Sequence, residues 1–304
     1  MTPPVAHWDE VEARLLEAGD IRGSWQWLAD AAGSVGVGVN RVRLEAGFRS
    51  TPVHTHGASE ELTYVLAGGG LLWQDGAAHE LEPGDCVVNL PYANDHTLIG
   101  GDGGLDVLIF GTRHPTEFGA LERAGVLRLG GDAVEIAGEP SPWEREVAAG
   151  PLEVPEPSPR PANVVALADA ETGWHGTTRF LAAGAGSRRT GLNYVTLPAG
   201  GRGASAHCHS LEEEVFVVLE GAATLLLYPR GSRGGDAEEH PLRPGHVVAR
   251  PPGTGMAHEF RPGPDGVVYL AYGTREPSDT TYYPELRRVA LRGLGVAFTL
   301  PPDG

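Results

Sequence analysis

Residues 54–61 read His-Thr-His-Gly-Ala-Ser-Glu-Glu, and residues 207–214 read His-Cys-His-Ser-Leu-Glu-Glu-Glu. In each stretch one residue separates two histidines, and a glutamate stands five positions after the second. On a β-strand residues i and i+2 point to the same face. His54 and His56 therefore project together, as do His207 and His209, while Thr55 and Cys208 point away. The turn that follows lets Glu61 and Glu214 open the next strand on that same face. A third histidine comes later in each case, His96 and His258. Three imidazoles and a carboxylate suit a divalent ion with one or two exchangeable positions, and Mn, Fe, Co, Ni, Cu and Zn all accept such a set. Glu60, Glu212 and Glu213 compete for the carboxylate role. The six-residue spacing to Gly68 and Gly221 selects Glu61 and Glu214.

The two stretches belong to an internal repeat. Residues 33–47, GSVGVGVNRVRLEAG, lie 153 positions before residues 186–200, GSRRTGLNYVTLPAG. Further on, GGLDVLIFGTR at 103–113 matches DGVVYLAYGTR at 265–275, now 162 positions later. Two insertions in the second copy account for the drift, one around 229–236 and one in the turn near 251–257.

Both copies read as all-β. Glu61–Ala67, Asp85–Leu90, Leu105–Phe110, Glu214–Glu220 and Val267–Tyr272 are rich in valine, leucine and aromatics. Asp75-Gly76, Pro83-Gly84 and Pro244-Gly245 punctuate them. Short strands at regular spacing imply a sandwich or barrel. The reading divides the chain into an N-terminal extension 1–33 with a short helix over 8–18 and a lead-in strand, a first barrel 34–115, a linker 116–170, a second barrel 171–280 and a C-terminal extension 281–304 that packs back on a barrel. The linker is Pro-rich over 140–161, which predicts an extended connector.

Composition narrows the function. The 304 residues suffice for two domains, and the net charge of −17 argues against nucleic acid and against an anionic membrane surface. All 23 basic residues are arginine, which excludes a Schiff-base lysine and a P-loop lysine. The first ten residues lack the basic and apolar regions of a signal peptide, no run approaches a membrane span, and the two cysteines, Cys86 and Cys208, form no framework of bridges. The expectation is a cytoplasmic protein, monomer or homodimer.

Gly47-x6-His54-x-His56-x4-Glu61-x6-Gly68 with Gly84-x6-Pro91-x4-His96, and Gly201-x5-His207-x-His209-x4-Glu214-x6-Gly221 with Gly245-x5-Pro251-x6-His258, resemble the two sequence motifs of the cupin superfamily, present twice as in bicupins. The resemblance covers about 34–113 and 187–275, and the barrels ending in Gly-Thr-Arg look most like small bacterial bicupins of undetermined function. It implies two jelly-roll β-barrels in tandem, related by a pseudo-two-fold repeat, with one metal ion per barrel. Three departures stand out: an extra residue before His54, Ala93 where the family has glycine, and two extra residues between Gly253 and His258.

Strand parity places Thr63, Val65 and Leu98 inside the first barrel, and Phe216, Val218 and Phe260 inside the second, as walls of mostly apolar pockets. His7, His79, His114, His175, His240 and His246 follow no pattern and read as solvated. Arg113 and Arg275 close the Gly-Thr-Arg ends and read as rim salt bridges. Asn40 and Asn193 recur and read as strand-end hydrogen-bonding groups. No Ser-His-Asp or Cys-His arrangement stands out, so chemistry falls to the metal. The leading expectation is dioxygenase-type chemistry on a small oxygen-rich organic molecule bound through its oxygens. The alternatives are a metal-dependent isomerase, decarboxylase or hydrolase, and a non-catalytic sugar- or metabolite-binding module.

Overall fold

The structure, a computed structural model, describes residues 4–129, 134–135, 140–231 and 237–301. Among these residues the chain is built from β-strands with three short α-helices. Each half contributes one eight-stranded and one four-stranded sheet, and hydrogen bonds do not close either large sheet on itself.

The first large sheet runs in the order Val164–Ala166, Asp85–Asn89, Glu61–Gln74, His96–Thr112, Val37–Leu44, Ile21–Trp27, Arg14–Ala18, with Ala77–Leu81 also on Glu61–Gln74. The second repeats the order with Val5–His7, His246–Arg250, Glu214–Tyr228, Ala257–Thr274, Thr190–Leu197, Thr178–Phe180 and Thr172–Gly173. The edge strands are exchanged: Val5–His7 opens the second barrel's sheet, and Val164–Ala166 closes the first barrel's sheet against Asp85–Val87.

The long central strands bend where the motif glycines fall. Pairing shifts register between Gly68 and Gly70 and between Gly221 and Ala223. Gly68 has φ +76°, and a Cβ there would lie 2.1 Å from the Gly104 carbonyl oxygen. Only glycine allows both the left-handed backbone and the close strand approach.

Val42, Val65, Leu72, Leu98 and Val107 fill the first barrel, and Leu197, Phe216, Val218, Leu225 and Phe260 fill the second. A third core lies between the barrels, where Leu62, Phe110 and Tyr64 meet Leu192, Val215 and Tyr272. Two carboxylates fasten this seam reciprocally. Glu60 accepts from Ser187 Oγ, from the amides of Arg188, Arg189 and Thr190, and from Thr190 Oγ1. Glu213 accepts from Ser34 Oγ and the amides of Val35 and Gly36.

Several local expectations change. The stretch 8–18 is not helical: Arg14–Ala18 pairs with Ile21–Trp27 across a two-residue turn in which Gly19 sits at φ +59°, and the short helix is Leu28–Ala31 instead. The Pro-rich connector contains a helix, Pro142–Ala148, because proline is tolerated in a first turn and Ser141 with Glu144 forms a capping box. Paired strands continue past 115 and 280. Phe118–Leu121 and Val126–Leu129 form a sheet with Thr55–His56, and Thr280–Tyr283, Arg288–Leu291 and Val296–Thr299 form one with Cys208–His209. His7 and His79 are buried, His7 bonded to the Pro244 carbonyl and His79 to Ser158. Of the insertion at 229–236, residues 232–236 lie outside the described residues.

Candidate metal centres

The first constellation comes together. His54 and His96 form a bridge between their segments, His56 ends the short strand Thr55–His56, and Glu61 opens its own strand opposite Asn89. Ligand-capable atoms of His54, His56, Glu61 and His96 all lie within 4.8 Å of one another. His54 Nδ1 donates to the Pro52 carbonyl at 3.0 Å and His96 Nδ1 to the Asn94 carbonyl at 3.1 Å. A neutral ring donating from Nδ1 carries its lone pair on Nε2. His96 Nε2 lies 3.1 Å from Glu61 Oε1. Either a proton or a divalent ion can bridge an imidazole nitrogen and a carboxylate oxygen held this close.

The two carboxylates and burial set the charge of these rings when no ion is bound. Burial, reinforced by His96 and His56, drops His54 to about 3. Burial also acts against charge on His56, but hydrogen bonds to Glu117 and Glu61 outweigh it and hold that ring at about 10. Burial works to raise Glu61, and the bonds from His56 and His96 overcome it, so the carboxylate stays ionised well below its usual range.

In the second constellation three Nε2 atoms converge on one oxygen. His207, His209 and His258 place theirs 3.6, 3.5 and 3.2 Å from Glu214 Oε2. His207, His209 and Glu214 form a tight cluster, and His258 stands beside it, 3.2 Å from Glu214 Oε2. His209 Nε2, His258 Nε2 and Glu214 Oε2 are buried and have no hydrogen-bond partner among the described residues. Orphaned buried polar atoms of this kind are expensive, and a metal ion would satisfy all three. Across the longer turn, His258 keeps the bridge to His207 that His96 makes to His54.

A carboxylate stands behind one histidine in each centre, and sequence reasoning missed both. Glu117 lies 3.6 Å from His56 Nδ1 and accepts from the amides of Gly57 and Ser59. Asp279 accepts from His209 Nδ1 at 2.7 Å and from the Leu211 amide. Such partners fix ring orientation and raise ligand basicity. The signal was available: Gly-Thr-Arg is followed by His-Pro-Thr-Glu at 114–117 and by Glu-Pro-Ser-Asp at 276–279, at the same 162-residue offset.

Above the first centre opens a cavity of about 660 Å³. Trp27, Trp143, Ile109 and Leu121 give it apolar walls, and Asn40, Thr51, Arg113, His114 and Arg128 give it polar ones. Arg113 is also ion-paired to Asp30 at this rim. Thr63, Val65 and Leu98 are buried in the barrel interior and do not line this cavity. Phe216 packs 5.4 Å from the His258 ring, with Phe260 against it and Val218 deeper in the core. Thr55 bonds Asp95, and Cys208 packs outward against Ala206, Leu226 and Tyr228. A second cavity of about 300 Å³, lined by Arg202, Tyr228, Glu259 and Arg261, touches none of the second centre's ligands. Among the described residues, no helix is long and apolar enough to cross a membrane.

Comparison with known proteins bears on this architecture. The cupin domain family matches residues 40–96. A search of curated proteins finds no match. Among solved structures, the chain is similar to oxalate decarboxylase of Lactobacillus farciminis in a formate complex, with 14% identity, TM-score 0.57, and 90% of this chain and 87% of that one covered. It is also similar to oxalate decarboxylase of Bacillus subtilis, described for its Mn(II) centres, with 14% identity, TM-score 0.59, and 88% and 76% covered. At such identity the likeness speaks for the fold. Residues 40–96 thus carry a cupin domain, and the chain as a whole has the tandem two-barrel fold of the oxalate decarboxylases it is similar to.

Proposed function

We propose that His54, His56, Glu61 and His96 hold one divalent metal ion, that His207, His209, Glu214 and His258 hold another, and that the chain is a metal-dependent enzyme whose reaction takes place in the first barrel. The observation that carries this reading is the cavity of about 660 Å³ opening directly on the first ligand set. It falls within the size range of small-molecule sites, with apolar walls and few polar groups.

The cavity's own residues suggest the substrate class. Arg113 and Arg128 offer guanidinium groups suited to a carboxylate. Asn40, Thr51 and Thr112 offer hydrogen bonds to further oxygens, and Trp27 and Trp143 enclose the carbon skeleton. The substrate read from this lining is an oxygen-rich organic acid with an apolar part. When bound, the metal supplies Lewis-acid polarisation of substrate oxygens. Glu117 keeps His56 oriented, and the arginines hold the substrate against the centre.

The reaction favoured is non-oxidative, with decarboxylation first among lyase and isomerase chemistries, because the polar lining is built for carboxylate recognition. The Mn(II) centres of the similar oxalate decarboxylase make manganese the first ion to load. Dioxygenation is the second reading, favoured by the aromatic wall. The test is to load the protein with Mn, Fe, Ni, Cu or Zn, measure metal per chain, and screen organic acids for CO2 release and oxygen uptake. Turnover without oxygen consumption supports the first reading, and stoichiometric oxygen uptake supports the second. Binding without turnover in any metal form turns the chain into a binding module, and failure to bind metal overturns the proposal.

A further inference from the structure

The two centres differ in one residue that faces the ligand carboxylate. Asn89 stands directly opposite Glu61 in the first sheet, and Arg250 stands opposite Glu214 in the second. Directly paired residues on antiparallel strands share a face, so the Arg250 side chain starts out on the ligand side of its barrel. It is 6% exposed. Its charge is felt at His207, His258 and Glu214. One terminal nitrogen donates to the Met256 carbonyl at 2.8 Å, while Nε has no partner. Among the described residues no carboxylate forms an ion pair with this guanidinium.

A buried arginine cannot shed its proton, and an unpaired buried charge is strongly disfavoured. The balance around each centre shows what is missing. In the first, Glu61 and Glu117 offset a divalent ion, and Arg113 is matched by Asp30. In the second, Glu214 and Asp279 offset the ion, and Glu212 is matched by Arg292 at 2.6 Å. Glu213 turns away into the first barrel. Arg250 is left as one positive charge over.

We propose that the second barrel is an anion-binding site, in which Arg250 holds a small planar oxyanion, a carboxylate or bicarbonate, beside the second metal centre. The guanidinium fork with its free Nε edge matches two oxygens of such an ion, and a single negative charge balances the site. The second barrel thus takes a different ligand from the larger acid read for the first. This inference rests on metal occupancy of the second ligand set.

The test uses the full chain loaded with Mn(II), its metal content measured on the same sample, and acetate or bicarbonate as the probe in isothermal titration. The expected result is anion uptake that Arg250→Gln weakens at least tenfold at unchanged metal content. Arg250→Lys, which keeps the charge but not the fork, falls between, and the double variant Arg113→Gln, Arg128→Gln keeps this uptake. Circular dichroism of each variant checks that it is folded, and if Arg250→Gln does not fold, Arg250→Lys in the background of the double variant Arg113→Gln, Arg128→Gln decides, since uptake there reports the second barrel alone. Two metal equivalents with no anion uptake, or with uptake indifferent to Arg250→Gln, overturns the anion site and leaves the metal reading standing. A chain that takes no metal in the second barrel overturns both.

Discussion

Replacing Glu60 with alanine tests whether the two barrels form one thermodynamic unit. The Glu60 carboxylate is 1% exposed and accepts five hydrogen bonds of 2.7–3.1 Å, all from residues 187–190 of the other barrel. The amides of Arg188 and Arg189 are near enough to the surface to find water. Ser187 Oγ, Thr190 Oγ1 and the Thr190 amide are buried with the carboxylate. Ser187 Oγ can turn to the Thr190 carbonyl at 2.8 Å, so two donors are stranded, and at ~1–1.5 kcal/mol each they give a loss of about 2–3 kcal/mol. Glu60→Gln keeps one accepting oxygen and should lose about half of that. Urea unfolding followed by tryptophan fluorescence measures the change. The reciprocal Glu213→Ala, with three bonds to residues 34–36, should cost somewhat less and also shift both barrels in one transition. A loss under ~1 kcal/mol for Glu60→Ala, or two separate transitions in the parent protein, refutes the reasoning.

Other outcomes follow from the same geometry. Glu117→Gln and Asp279→Asn should each loosen metal at their own centre by roughly 10–100-fold, read by chelator competition. Gly68→Ala should destabilise by about 2–4 kcal/mol, since its Cβ would collide with the Gly104 carbonyl at φ +76°; Gly76→Ala, at φ +82° but in open space, should cost only about 1 kcal/mol in the same urea assay. Burial works to raise Asp20, but its bonds to Arg49 outweigh it and hold the carboxyl below its usual range. A depressed folded pKa contributes stability above the unfolded value of about 4 that is lost as pH falls through the folded one, so the melting temperature should drop on acidification and drop less in Asp20→Asn.

The two His-Glu constellations were legible because their spacing is a property of single strands and turns. The i, i+2 histidines and the glutamate five positions on need no knowledge of the rest of the chain. The repeat then made the barrels legible. What escaped depended on partners distant in sequence. Val5–His7 has no pattern of its own and becomes a strand by pairing with His246–Val248. Glu117 and Asp279 matter only because Phe118–Leu121 and Thr280–Tyr283 pair beside His56 and His209. The stretch 8–18 carries apolar residues at helix-compatible spacing, but Gly19 and Asp20 turn the chain and the sheet edge takes Arg14–Ala18. Arg250 reads as an ordinary strand-end arginine until its register opposite Glu214 is seen.

The crossed edge strands make each half of the chain an incomplete object. A cut in the connector between Gly150 and Pro161 would give an N-terminal piece that carries Val5–His7 but lacks its own last strand, and a C-terminal piece that carries Val164–Ala166 but lacks its own first. Each piece holds the part the other needs, together with one of the two reciprocal carboxylates. Two such fragments, expressed apart, should find each other and rebuild the whole, and an activity split between them would switch on only when they meet.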